Sequence, residues 1–133
     1  EKGTDAMTQT AQNPSPLANW PIQVQLAPLT APYFKDADLL IAASCTAFAH
    51  GQFAAFTEGK PLLVGCSKLE KDDFSGRLSK ILRLNHVRSV RMFRMEVPCC
   101  GGMVSAVRKA ITLSGLDIPL EVTVISPKGQ VNP

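Results

Sequence analysis

The sequence predicts an α/β fold: a three-layer α/β/α sandwich built on a small, mostly parallel sheet of four or five strands. Three observations predict it. Short apolar runs recur along the chain, as expected of strands covered on both faces. Stretches of helical periodicity lie between those runs. Strand and helix patterns therefore alternate, which is the signature of βαβ units. Right-handed crossovers then place helices on both sides of the sheet.

The elements follow in order. Residues 1–19 are rich in Thr, Gln, Asn, Ala and Pro without an apolar period, and read as a flexible leader or linker. Residues 20–133 read as one α/β domain. Ile22, Val24 and Leu26 alternate with Gln23 and Gln25, the period of a half-buried strand, which Pro28 and Pro32 end. Buried strands are expected at 37–43, 61–65, 87–97 and 120–125. In the third, Arg88, Arg91 and Arg94 interleave with β-branched, Met and Phe residues. A helix is expected over 47–57, carrying Phe48, Phe53 and Phe56 and stopped by Gly59. A second is expected over 68–85, where Phe74, Leu78, Ile81 and Leu82 form one apolar face. A third is expected over 103–113, ended by Gly115. This layout is doubly wound, Rossmann-like or flavodoxin-like in type.

Composition narrows the function. The chain has 133 residues, 45% hydrophobic and 19% charged, enough for one domain with a real core. No apolar run is long enough for a transmembrane helix, so no membrane partner is expected. A net charge of +3 and 6% aromatic residues make no case for nucleic acid. The chain opens on Glu1-Lys2-Gly3-Thr4 without Met or an apolar signal segment. It is read as a processed or truncated product with a cytoplasmic location. P-loop, G-x-G-x-x-G and G-x-S-x-G motifs are absent from the sequence, which leaves NTPase, dinucleotide dehydrogenase and serine hydrolase readings without support.

The four cysteines carry the strongest signal. Cys45 follows the first buried run, Cys66 the second, and Cys99 and Cys100 the third. Strand C-terminal ends share one edge of a parallel sheet, where open α/β folds bind ligands. A helix N-terminus there favours the thiolate, the form that binds metal. Gly101 and Gly102 would let the backbone approach a bound group. Four sulfurs from three loops could hold an iron–sulfur cluster or, less favourably, zinc. Adjacent Cys99 and Cys100 suit a multinuclear cluster better than a single ion. The competing reading is that these cysteines are small core residues.

Five segments carry a family resemblance: Asn19-Trp20-Pro21-Ile22-Gln23-Val24, Ala31-Pro32-Tyr33-Phe34, Ala37-Asp38-Leu39-Leu40-Ile41-Ala42, Val64-Gly65-Cys66-Ser67-Lys68-Leu69 and Glu96-Val97-Pro98-Cys99-Cys100-Gly101. Together, over about residues 19–126, the chain resembles the α/β domain that follows a two-cluster ferredoxin module in anaerobic iron–sulfur proteins. The Cys99-Cys100-Gly101 run is also loosely similar to the CCG motif of heterodisulfide-reductase-type subunits. The resemblance implies a redox or electron-transfer role, a cluster held by this domain, and a redox partner protein or fused ferredoxin module. The chain departs from the pattern in having no C-x2-C-x2-C-x3-C run, so the ferredoxin module itself is absent from this sequence.

Other residues invite both a functional and a structural reading. His50 is a candidate ligand or proton carrier, or a helix-surface residue. His86 is expected to cap a helix C-terminus. Arg77, Lys80, Arg83, Arg88, Arg91 and Arg94 form a basic stretch that could dock an acidic partner or serve as a solvated face. Asp36 and Asp38 are expected at the edge opposite the cysteines. Two alternatives to the redox module remain: a non-metal domain holding a small anion or a flavin phosphate near Gly101 and Gly102, and a docking domain without chemistry.

Overall fold

The structure, a computed structural model, describes residues 15–66, 73–97 and 101–132. The five-stranded sheet comprises β1 (Asp38–Ala43), β2 (Leu62–Gly65), β3 (Ser89–Met95), β4 (Leu120–Ile125) and β5 (Val131–Asn132). Their order is β2-β1-β3-β4-β5; the first four are parallel and β5 runs antiparallel to β4. The helices are α1 (Thr46–Ala49), α2 (Ala54–Thr57), α3 (Ser75–Leu84) and α4 (Gly101–Ser114). The chain steps outward once, from β1 to β2, and then back across the sheet to β3 and β4. Right-handed crossovers therefore put α1 and α2 on one face and α3 and α4 on the other.

All four parallel strands form where the apolar runs predict them. Leu39, Ile41, Leu63 and Met92 are buried in the sheet, and Leu78, Ile81, Leu82, Met103, Val107 and Ala110 are the buried face of α3 and α4. On the opposite side, Ala42, Phe93 and Thr123 occupy one cross-strand row. Phe93 meets Phe53 and Phe56 there, with ring centroids 5.2 and 5.0 Å away. Each such aromatic pair contributes on the order of 1 kcal/mol beyond its buried area.

Three local expectations are corrected. The strand expected over Ile22–Leu26 is a single parallel bridge from Gln23 to Val64. Leu26 N–H and Ala27 N–H both donate to the Gln23 carbonyl, at 3.0 Å each, and the chain turns before it can extend the ladder. The helix expected over 47–57 is two four-residue helices. His50 leaves the helical region with ψ 119°, and its Nδ1 accepts the Gln52 N–H at 3.1 Å. That donor is then lost to a continuous helix. The helix expected from residue 68 is observed as Ser75–Leu84, while residues 67–72 lie outside the described residues.

β5 was not foreseen. It exists because Gly129, at φ 93°, closes a tight turn in which its N–H donates to the Ser126 carbonyl at 2.8 Å. The Ser126 hydroxyl accepts Gln130 N–H at 3.0 Å in the same turn.

Candidate functional site

The carboxyl edge of the sheet is built from the ends of β1, β2 and β3. Ala43 pairs with Gly65, and Ser44 N–H continues the ladder to the Gly65 carbonyl at 3.0 Å. Cys66 follows Gly65 directly, and Cys45 lies two residues beyond Ala43, at the start of α1. Two of the sequence-predicted cysteines therefore leave neighbouring parallel strands at one edge. Both are free thiols; Cys45 is exposed and Cys66 half-buried.

Cys99 and Cys100 lie outside the described residues, as does Pro98. Their flanks are described. β3 borders β1, and α4 begins at Gly101. The β1/β3 boundary is where the strand order reverses, the position at which open α/β sheets place their ligands. Gly101 and Gly102 are both exposed at the start of the 14-residue α4. Among the described residues, a Cβ added at Gly101 would meet nothing within 4 Å, so no contact with them demands glycine there.

Among the described residues, no group of three or more His, Cys, Asp or Glu side chains gathers closely enough to hold a metal. Cys45 and Cys66 supply two thiols, whereas a closed structural zinc site or a cubane cluster takes four protein ligands. The fit of a cluster therefore depends on Cys99 and Cys100 in addition to the described pair.

The remaining candidates make contacts within the fold. His50 ends α1, and its ring lies edge-on to Phe56 with centroids 5.1 Å apart. His86 follows the last turn of α3 in the left-handed region at φ 51°, its N–H reaching the Arg83 carbonyl at 3.3 Å. It ends that helix through its backbone rather than through a side-chain charge. The basic stretch does not form one surface. Arg91 and Arg94 are three residues apart in a strand and so point to opposite faces. Arg77 Nε donates to the Val24 carbonyl at 3.1 Å, and its Nη2 bonds the Ala27 carbonyl. Arg91 lies over Phe56 and Phe93 and donates to the Thr123 hydroxyl.

Asp38 sits at the amino edge of the sheet, opposite the cysteines, as expected. It accepts from Arg88 at 2.6 and 3.1 Å and from the Ser89 hydroxyl at 2.6 Å. The Arg88 and then the Ser89 hydrogen bonds lower its pKa from 3.8 to about 2.

Two residues at the carboxyl edge were not anticipated. Arg94 turns back on the strand-to-helix loop, with Nε on the Met95 carbonyl at 3.2 Å and Nη2 near the Val97 carbonyl at 3.4 Å. Glu96 N–H donates to the Ile125 carbonyl at 2.8 Å, and its carboxylate accepts the Asn132 amide at 2.5 Å. The spacing of Arg94 from Arg91 was a readable signal for the first. The Glu96 contact needed β5, which the sequence pattern does not announce.

Comparison with known proteins agrees with this architecture. An uncharacterized protein of Archaeoglobus fulgidus is 26% identical over 114 residues, covering 86% of this chain and 81% of that protein. No solved structure matches the chain with significance. No helix among the described residues is long and apolar enough to cross a membrane. A family model described as a Rossmann-like domain matches residues 31–133, all five strands included. The chain belongs to that Rossmann-like domain family.

Proposed function

We propose that this domain is a redox or electron-transfer accessory module that holds an iron–sulfur cluster at the carboxyl edge of its sheet through Cys45, Cys66, Cys99 and Cys100. The observation that carries the reading is the departure of Cys45 and Cys66 from adjacent parallel strands at one edge, beside the strand that leads to Cys99-Cys100. A bound cluster supplies one-electron chemistry. The chain supplies thiolate ligands, and ligation displaces the thiol protons without a separate base. Gly101 leaves the start of α4 uncrowded beside the site. The partner is a redox protein, or a ferredoxin module fused to the same chain as the resemblance implies. Zinc in the same thiolate set is the metal variant of this reading.

The test is anaerobic purification followed by iron, sulfide and zinc analysis. Brown protein with iron and sulfide supports the cluster. Colourless protein with one zinc supports the variant. Cys66→Ser and Cys99→Ser are expected to remove the metal, while Arg91→Ala keeps it. Metal-free protein with four titratable thiols and unchanged folding overturns both.

A second reading rests on the long helix α4, whose N-terminus opens at the strand-order reversal. There Gly101 and Gly102 could hold a small anion or a flavin phosphate. Protein purified with a yellow chromophore, retained in Cys66→Ser, would favour it over metal.

A further inference from the structure

We propose that the cavity between the amino-terminal segment and the β1–β2 half of the sheet binds a small, largely apolar molecule with a hydrogen-bond-accepting head, of the medium-chain carboxylate class. The cavity measures about 420 Å³. That is within the range of small-molecule sites, roughly 300–1,000 Å³. Its walls come from three places: Ala42 and Val64 in the sheet, Leu17 and Ile22 in the amino-terminal segment, and His50 and Phe53 around α1 and α2.

The volume has a sequence cause. Ala42 lies in the same cross-strand row as Phe93, and the short side chain leaves open the space that a larger residue would fill. The outer wall is held in place. Ile22 carbonyl accepts Val64 N–H at 2.7 Å, and Asn19 bonds both backbone polar groups of Leu62. Phe53 is fixed by its contacts with Phe56 and Phe93.

The polar content is small and specific. Thr46 and Thr57 line the cavity, but their hydroxyls donate to the Ala43 and Ala54 carbonyls at 2.8 and 3.0 Å. His50 differs. Its Nδ1 already accepts the Gln52 N–H, so in the neutral ring the proton sits on Nε2, which is a donor. Ser15 also lines the cavity, and its Oγ accepts the Leu17 N–H at 3.1 Å, which leaves its O–H as a second donor. The lining thus offers apolar walls and two donors, the His50 N–H and the Ser15 O–H. An apolar body ending in a carboxylate, which only accepts, complements those two donors better than an ammonium, which only donates. This inference uses none of the cysteines, although Ala43 and Thr46 of the lining flank Cys45.

The test is an NMR titration of the isotopically labelled full chain with octanoate, and with octylamine as the control of equal length. Octanoate is expected to saturate, with shifts concentrated at residues 42–57 and 62–64. Octylamine is expected to bind about tenfold more weakly or worse. Ala42→Leu should fill the floor and weaken octanoate by about tenfold. His50→Ala should reduce the preference for octanoate over octylamine. Because Ala42 is buried and its variant can fail to fold, the half-buried His50 keeps the test decisive. Shifts elsewhere, no saturation, equal binding of the two probes, or an unchanged preference in His50→Ala each overturn the proposal.

Discussion

The side-chain amide of Asn19 pairs with Leu62 as a strand backbone would: its Oδ1 accepts the Leu62 N–H at 2.7 Å and its Nδ2 donates to the Leu62 carbonyl at 3.0 Å. Asn19 is buried, and β2 is the outermost parallel strand. The pairing satisfies Leu62 at this edge, beside the Gln23–Val64 bridge, and anchors the segment before the first strand. Asn19→Ala leaves both Leu62 groups without partners in a buried setting, at a cost of about 3 kcal/mol. Asn19→Asp keeps the acceptor, and when its carboxyl is protonated the O–H can donate to the Leu62 carbonyl, so under those conditions it is expected to fall between Ala and wild type. Urea midpoints for the three proteins check the order; equal midpoints for Asn19→Ala and wild type would refute it.

Gly129 occupies a position where a side chain has no room. A Cβ there would lie 2.7 Å from the Ala49 carbonyl oxygen, and φ is 93°. Gly129→Ala must therefore move the β4–β5 turn off α1 or strain the backbone, costing about 2–3 kcal/mol. Thermal denaturation should show a clear fall in Tm. An unchanged Tm would mean that the turn does not rest on α1.

Arg91 places its guanidinium centre 5.0 and 4.9 Å from the Phe56 and Phe93 ring centroids. It also approaches Glu121 at 3.6 Å and the Thr123 hydroxyl at 3.3 Å. Arg91→Ala uncovers both rings and costs about 1–2 kcal/mol, more than an exposed ion pair alone would. Arg91→Lys recovers only part of it, because an ammonium lacks the planar fork. Chemical denaturation of both variants measures the difference, and full recovery by Lys would contradict the stacking argument.

Two carboxylates make stability sensitive to acid. Asp73 accepts Ser75 N–H at 2.9 Å and Lys109 at 3.0 Å, joining the start of α3 to α4. The Ser75 backbone bond first, and then Lys109, lowers its pKa to about 2, the same value as Asp38. A depressed carboxyl pKa stabilises the fold above the unfolded-state value. That contribution is lost as pH falls from about 4 through about 2. Both side chains are about half exposed, 41% for Asp38 and 50% for Asp73. Solvent screening therefore limits each pair to below about 1 kcal/mol. The Asp38→Asn, Asp73→Asn double variant should show a flatter acid limb than wild type when unfolding is followed against pH. Parallel curves would remove these two groups as the cause.

The parallel core was legible because burial on both faces leaves a direct trace. The runs ending at Ala43, Gly65 and Ile125 became strands with nearly the expected limits. The face Phe74, Leu78, Ile81 and Leu82 is buried as its spacing implied. Where a local competitor acted, the pattern misled. His50 captured a neighbouring N–H and split one expected helix, and the Gln23 turn reduced an expected strand to a bridge. Neither competitor alters hydrophobic periodicity, so periodicity could not report it.

For the site, the sequence by itself determined that cysteines follow three successive buried runs, and so that Cys45 and Cys66 come after strands. That conclusion needs only chain order. Tertiary structure alone decided which strands are neighbours, and hence that Cys45 and Cys66 leave adjacent strands. It also decided that Asn19 pairs with β2, that the Gly129 turn meets α1, and that Ala42 faces a cavity. The physical reason is the range of the forces involved. Burial and helical or strand period are set within a few residues. A side-chain amide meeting a strand edge 43 residues away, or a cavity left by one short side chain, exists only after the sheet has assembled.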